Sequence, residues 1–298
     1  MNVITINGGV PLYGEMTVSG SKNAILPILA ACILTDQKVT INNVPNITDV
    51  DDMLYIMRDL GVSATSSNHS ITVDCSNISN YRISNHHVGK IRSSVILLGA
   101  VIARFSRAIM AHPGGCDIGA RPIDMHLDAF RQMGVDIQYE NDCWVCNTNK
   151  LQGANIVLPF PSVGATENII LAAAMANGQT TITNAAKEPE IVALQDIINL
   201  MGGDVKGAGT SQIQIVGKSH YHGCEYTLIP DRIVAGTYML AACATGGDVL
   251  IKNAVLSHNA LLVDYIRRMG AECTALPNDE IRVRKSKRLC HKIGRAHV

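Results

Sequence analysis

An amphipathic segment that ends in Leu-Gly or Met-Gly occurs four times in this chain, at Leu60-Gly61, Met133-Gly134, Met201-Gly202 and Met269-Gly270. Successive glycines lie 73, 68 and 68 residues apart. Self-similarity at a fixed period means that one supersecondary unit is used repeatedly. An upstream strand ends near Asn43, Asn184 and Asn253 in copies one, three and four, which leaves 18, 18 and 17 residues to the glycine. In copy two the corresponding residue is His112, 22 residues from Gly134, so about four residues are inserted there. The insertion falls in Pro113-Gly114-Gly115-Cys116-Asp117-Ile118-Gly119-Ala120-Arg121-Pro122. What all copies share is scaffold, and what one copy adds is a loop of the kind that carries function.

Each copy reads as helix, strand, helix, hairpin. The first helix is apolar nearly all round (Ala24 to Leu34, Val95 to Ala103, Ile169 to Ala176, Thr237 to Ala244). Such helices are buried, and at roughly 10 to 12 residues they are too short to span a bilayer. The second helix has one apolar stripe, as in Ile191, Leu194, Ile197, Ile198 and Met201, and the glycine that follows suits a left-handed stop. Strand pairs then surround polar turns at Ser66-Ser67-Asn68, Glu140-Asn141-Asp142 and Pro277-Asn278-Asp279. The expected class is α/β, in layers of repeated units.

Composition narrows the function. The formal net charge is zero, so no basic field draws nucleic acid or acidic membrane. Aromatic residues make up 4% of the chain, too few for a base-stacking platform. Met1 to Val10 reads as a strand and not a signal peptide, which places nine cysteines in a reducing cytoplasm as thiols. Cys143-Trp144-Val145-Cys146 has metal-site spacing, but on a strand residues three apart face opposite ways, so the pair is expected to be structural.

The starts of the first helices carry more information. They bear Gly20-Ser21-Lys22-Asn23, Lys90-Ile91-Arg92, Ser162-Val163-Gly164-Ala165-Thr166 and Asp231-Arg232. Free backbone N–H groups and the positive dipole end make such starts anion sites, although Ser21, Ser162 and Asp231 are also ordinary N-caps. Repeat symmetry is expected to bring several starts toward one axis. The implied substrates are multiply anionic, with phosphates foremost. In the inserted loop, Gly114, Gly115 and Gly119 permit motion as a lid, Arg121 offers a bidentate anion partner, and Cys116 is placed to be a reactive thiol.

Gly20-Ser21-Lys22-Asn23-Ala24, the Pro113 to Pro122 loop with Asp124, Ser162-Val163-Gly164-Ala165-Thr166, Glu188-Pro189-Glu190 and Pro230-Asp231-Arg232-Ile233 together resemble the UDP-N-acetylglucosamine 1-carboxyvinyltransferases of the enolpyruvyl transferase family. The likeness runs from Met1 to about Arg284. It implies an inside-out α/β barrel of repeated units, and transfer of the enolpyruvyl group of phosphoenolpyruvate to the 3′-hydroxyl of UDP-N-acetylglucosamine, the first committed step of peptidoglycan synthesis. By resemblance, Lys22 and Asn23 meet phosphoenolpyruvate, Arg92 and Arg121 neutralise its phosphate and the nucleotide's charge, and Cys116 protonates its methylene carbon. Arg121, Pro122, Ile123, Asp124 and Met125, with Ser162, Val163 and Gly164, hold the uridine diphosphate part. No metal or organic cofactor is implied, nor any nucleic-acid or membrane partner; the oligomeric state stays open. The sister reaction on shikimate 3-phosphate shares the fold but lacks the Gly115-Cys116 loop. A UDP-sugar-binding module without turnover is the other alternative.

Two departures stand out. Phe160 occupies a position where some relatives carry lysine. The family has six repeats in two domains, with the active site in the cleft between them, and four are legible here. A complete three-repeat domain is expected over 22–229 and an incomplete second domain over 1–21 plus 230–290, while residues 291–298 read as a non-native tail. The family's aspartate that takes the proton from the sugar hydroxyl lies in the fifth repeat, so the 298-residue chain alone is expected to be inactive.

Overall fold

In a computed structural model of the chain, residues 3–5, 7–83, 92–111 and 123–285 are described, Arg92 by its backbone alone. The chain divides into two compact units, Ser21–Ile229 and Met1–Gly20 with Pro230–Val298.

Strand β1 (Tyr13–Thr17) comes first. The sequence reading of a strand over Met1 to Val10 is corrected here: residues 3–5 and 7–10 have no regular structure, and the strand begins at Tyr13. What fixes it there is a partner, because β1 pairs in parallel with a strand of the fourth copy.

In the larger unit, copy one contributes α1 (Lys22–Ala31), β2 (Val39–Asn42), α2 (Thr48–Asp59), β3 (Ser63–Ser67) and β4 (Ser70–Asp74). A short strand β5 (Arg82–Ile83) follows. In copy two a 3-10 turn over Arg92–Ile96 leads into α3 (Leu97–Phe105), then β6 (Arg107–Ala111), α4 (Asp124–Gln132), β7 (Asp136–Glu140) and β8 (Cys143–Asn147). After β9 (Asn155–Val157), copy three supplies α5 (Val163–Ala173), β10 (Gln179–Thr183), α6 (Pro189–Leu200), β11 (Val205–Lys206) and β12 (Gln212–Val216), and β13 (Glu225–Thr227) ends the unit.

Each copy forms a four-stranded sheet in which a short edge strand runs parallel to the copy's first strand and the hairpin adds antiparallel to it. The short strands link the copies. β5 pairs with β6 of copy two and β9 with β10 of copy three, whereas β13 returns to β2 of copy one. The pairing therefore closes on itself. These edge strands of two or three residues escape a periodicity search, which is why the sequence showed only a hairpin and one strand per copy.

The recurrent Gly residues act as expected. Gly61, Gly134, Gly202 and Gly270 have φ of +100°, +87°, +97° and +101°, a left-handed stop that a Cβ would strain. The strand-ending asparagines have a role that the spacing could not show. Asn43 and Asn184 also have positive φ, and their side-chain amides donate to Leu228 O at 3.0 Å and Leu158 O at 2.9 Å. Each ties the end of a first strand to the residue after its parallel neighbour. Hairpin turns at Asn68-His69 and Asn141-Asp142 have two positive φ values each, the turn whose twist matches the flanking strands.

First helices form the core of this unit. α5 buries Ala165 to Ala173 without a break, and α1 buries Ala24 to Ala31. They pack on one another and on α3. Fully burying one Leu or Ile is worth about 1.5–3 kcal/mol, so the apolar residues on these three helices contribute substantially to holding the unit together.

The smaller unit has copy four: α7 (Arg232–Thr245), β14 (Asp248–Lys252), a 3-10 turn over Leu256–Asn259, α8 (Ala260–Arg268), β15 (Glu272–Leu276) and β16 (Glu280–Arg284). Asn253 repeats the asparagine tie, donating to Val18 O at 2.7 Å. Helix α7 buries Ala235, Gly236, Met239, Ala242 and Cys243, but leaves Ile233, Tyr238 and Leu240 exposed. It is the least covered of the four first helices.

Candidate functional site

The helix starts are built as the capping chemistry demands. Ser21 is extended and its Oγ accepts from Ala24 N at 3.3 Å, so Lys22 is the first helical residue of α1, with Asn23 exposed beside it. The Lys22 ammonium, half-exposed, pairs with Asp49 Oδ1 at 2.8 Å in the first turn of α2. Ser162 repeats the motif at α5: its Oγ accepts from Ala165 N at 3.4 Å, and Val163 and Gly164 form the first turn. The Thr166 hydroxyl donates to Ser162 O at 2.8 Å and accepts from Ala186 N at 3.1 Å, fastening this start to the loop before α6. In the smaller unit Asp231 caps α7, accepting from Ile233 N at 2.7 Å and Val234 N at 3.1 Å.

Of the other expected site residues, Arg92 opens the 3-10 turn of copy two. Ile123 is buried at the cap of α4, Asp124 is exposed in its first turn, and Met125 is partly buried. Cys116, Arg121 and Pro122 lie outside the described residues, as do Lys90 and His112. Phe160, where a lysine was a point of comparison, is exposed two residues before the cap Ser162 and accepts a hydrogen bond from Ser162 N at 2.8 Å through its carbonyl.

Three of these elements are joined by side chains that the sequence reading passed over. Asn168, fully buried on α5, has its Nδ2 2.8 Å from Val95 O and 2.9 Å from His126 Nδ1, while its Oδ1 accepts from Gly99 N at 2.7 Å. His126 lies on the first turn of α4 and is buried. A Cβ added at Gly164 would stand 3.4 Å from its Cε1. The signal was available in part: Thr166-Glu167-Asn168 is a polar triplet immediately ahead of the apolar run from Ile169, on a helix buried all round. Polar groups in such a place must find partners. Glu167 does not find enough. Its Oε1 is buried with no hydrogen-bond partner among the described residues, and burial, reinforced by Glu190 and Glu188, pushes its carboxyl well above the usual range.

Six of the seven described thiols are buried, and Cys224 is partly so. Cys143 and Cys146 are both buried and free on β8, and among the described residues no group of three or more His, Cys, Asp or Glu could hold a metal. Burial pushes Cys75 and Cys146 up to about 12 and raises Cys32, Cys224, Cys243 and Cys273. Since the thiolate is the nucleophile, brief native alkylation at pH 7.5 is expected to leave the Cys32, Cys75 and Cys146 peptides unlabelled and to label Cys116 first. Mass spectrometry of the digest checks this, and early label on Cys75 or Cys146 would contradict it.

The match to known proteins covers nearly all of the chain. Residues 6–294 match the family model described as EPSP synthase (3-phosphoshikimate 1-carboxyvinyltransferase). UDP-N-acetylglucosamine 1-carboxyvinyltransferase 2 of Caldanaerobacter subterraneus subsp. tengcongensis is 45% identical over 288 residues, 97% of this chain and 69% of that protein. UDP-N-acetylglucosamine 1-carboxyvinyltransferase 1 of Staphylococcus haemolyticus is 42% identical, over 91% of this chain and 64% of the relative. Among solved structures, the enolpyruvyl transferase NikO from Streptomyces tendae superposes with a TM-score of 0.81 at 23% identity, covering 94% of this chain and 67% of that one. EPSP synthase from Acinetobacter baumannii gives 0.70 at 22%, covering 93% and 64%. These two likenesses speak for the fold alone. No helix among the described residues is long and apolar enough to cross a membrane.

Proposed function

Because this chain belongs to the EPSP synthase (3-phosphoshikimate 1-carboxyvinyltransferase) family, we propose that it serves enolpyruvyl transfer from phosphoenolpyruvate to the 3′-hydroxyl of UDP-N-acetylglucosamine. The observation that carries the choice of acceptor is the 45% identity to a UDP-N-acetylglucosamine enzyme across 97% of the chain. The insertion unique to copy two, with Gly115-Cys116, supports the same choice over shikimate 3-phosphate.

In this reading the anionic substrates meet positive ends of helices. Lys22 and Asn23 at the start of α1 receive phosphoenolpyruvate, and Arg92 and Arg121 share in neutralising phosphate. Ile123, Asp124 and Met125 at the start of α4, with Arg121 and Pro122 before them, and Ser162, Val163 and Gly164 at the start of α5 hold the UDP part. The 3′-hydroxyl gives its proton to a base, by resemblance the aspartate of the family's fifth repeat, as its oxygen bonds to C2 of phosphoenolpyruvate, while the Cys116 thiol delivers a proton to C3 and is left as thiolate, giving a tetrahedral ketal. The C2–O bond to phosphate then breaks as the Cys116 thiolate takes a proton from C3, and phosphate departs with the electron pair and takes up the proton held by the base. Positioned charge and proximity supply the rate enhancement. Asp49, already 2.8 Å from Lys22 Nζ, competes with the incoming phosphate for that ammonium.

Phosphate release is the test, measured on this chain joined to the family's fifth and sixth repeats, with phosphoenolpyruvate and either UDP-N-acetylglucosamine or shikimate 3-phosphate. Release with the first pair alone is expected. Release with the second pair points to the sister reaction, and calorimetric binding of the UDP-sugar without release points to a binding module. Failure on all three counts overturns the proposal.

A further inference from the structure

Asn168 stands where a helical hydrogen bond would otherwise run. An uninterrupted α-helix joins the N–H of residue 99 to the carbonyl of residue 95, four positions earlier. Here the 3-10 turn gives way to α3 within that span, and the Asn168 amide sits between Gly99 N and Val95 O, 2.7 Å from one and 2.8 Å from the other. An inserted side chain is one of the few causes that break a helical ladder. Gly99 is small for this reason: a Cβ there would lie 2.3 Å from Asn168 O and 2.5 Å from its Oδ1.

These two backbone partners fix the orientation of the amide. Gly99 N can only donate, so the atom facing it is oxygen; Val95 O can only accept, so the atom facing it is the NH2 group. The second hydrogen of that NH2 points to His126 Nδ1 at 2.9 Å. An amide nitrogen has no lone pair to offer, so Nδ1 is the acceptor and carries no proton. The imidazole is therefore neutral, with its proton on Nε2, and the ring packs at the start of α5, 3.4 Å (Cε1) and 3.7 Å (Nε2) from where a Gly164 Cβ would be.

We propose that Asn168 and His126 are positioning residues: the Asn168 amide locks His126 as its Nε2–H tautomer and so clamps the first turn of α4 and the Arg92–Ile96 turn onto the start of α5. Those three segments bear Asp124 and Met125, Arg92, and Ser162 to Gly164. The clamp sets their mutual placement before ligand arrives. Its functional meaning rests on the UDP-sugar reading above, whereas the tautomer does not.

The test uses the 298-residue chain labelled with 15N-histidine, with His126 assigned by difference against a His126→Gln sample. The ring nitrogens are read by NMR at pH 8 without ligand. The clamp requires an unprotonated Nδ1 and a protonated Nε2 in the unsubstituted chain, and should His126→Gln not fold, the ring is assigned by its through-space contact with the Asn168 side-chain amide. Asn168→Asp puts an acceptor opposite Nδ1 and is expected to move the proton to Nδ1 and to weaken UDP-N-acetylglucosamine binding by calorimetry about fivefold or more. A protonated Nδ1 in the unsubstituted chain overturns the proposal. So does a variant whose tautomer flips while UDP-sugar affinity is unchanged. Absence of UDP-sugar binding by the unsubstituted chain counts against the functional reading of the site, and the ligand-free spectrum still decides the clamp.

Discussion

In the chain joined to the family's fifth and sixth repeats, replacing Cys116 by alanine is expected to lower the rate of phosphate release by about 10²- to 10⁴-fold, the range that a positioned proton donor contributes, while UDP-N-acetylglucosamine affinity changes little. The argument starts from the repeat. Four copies need the same helices, strands and glycine stops, and only copy two has additional residues between its first strand and second helix. A scaffold does not require them. Within them, Cys116 is the one side chain able to deliver a proton to carbon near neutral pH, since Asp117 is far too acidic at its ordinary value to hold one. The contrast with the rest of the molecule sharpens the assignment, because burial holds Cys32, Cys75 and Cys146 in the unreactive thiol form. Loss of phosphate release with retained sugar binding is the pattern of an interaction made in the transition state. An alanine variant that turns over at the original rate would remove the thiol from the mechanism and leave the insertion without its proposed role.

The repeat was legible because it rests on residues with stereochemical obligations. A glycine at φ near +100° has few substitutes, so Gly61, Gly134, Gly202 and Gly270 mark the copies plainly. Helix starts were legible for a similar reason: Ser21, Ser162 and Asp231 cap because their short side chains reach a backbone N–H. The short parallel strands were not legible, since two or three residues such as Arg82-Ile83 show no period and become strands only through the neighbour they meet. Nor was the opening strand, whose position is set by β14, more than 230 residues away. The Asn168–His126 clamp was invisible for the deepest reason. Its four residues come from three separate segments, and only their packing reveals that the Asn168 amide satisfies Val95, Gly99 and His126 together. Polar residues inside a buried helix were the available clue, and that clue also leads to Glu167.

Glu167→Gln is expected to stabilise the chain at pH 8 and to leave it nearly unchanged at pH 4. The carboxyl is fully buried, Oε1 has no hydrogen-bond partner among the described residues, and the charges among those residues that raise it further are Glu190 and Glu188, of its own sign. All three influences favour the protonated form, so its folded-state value is raised above the unfolded value of 4.5. The sign of the linkage follows. A raised acid lends its full stability below the unfolded value, and that contribution is lost as pH rises through the folded one. Each unit of rise corresponds to about 1.4 kcal/mol. For a domain of about 150–250 residues, 1 kcal/mol moves Tm by about 2–4 °C. Glutamine has nearly the same shape with no charge to bury, so Tm at pH 8 should increase by about 3 °C or more, with the gain fading on acidification toward 4.5. Thermal melts of both proteins at several pH values check this. An equal shift at every pH would assign the effect to packing. A loss of stability at pH 8 would mean that the carboxylate is ionised and held by a cation, which would refute the account of Glu167 as a buried acid that keeps its proton beside the α5 start.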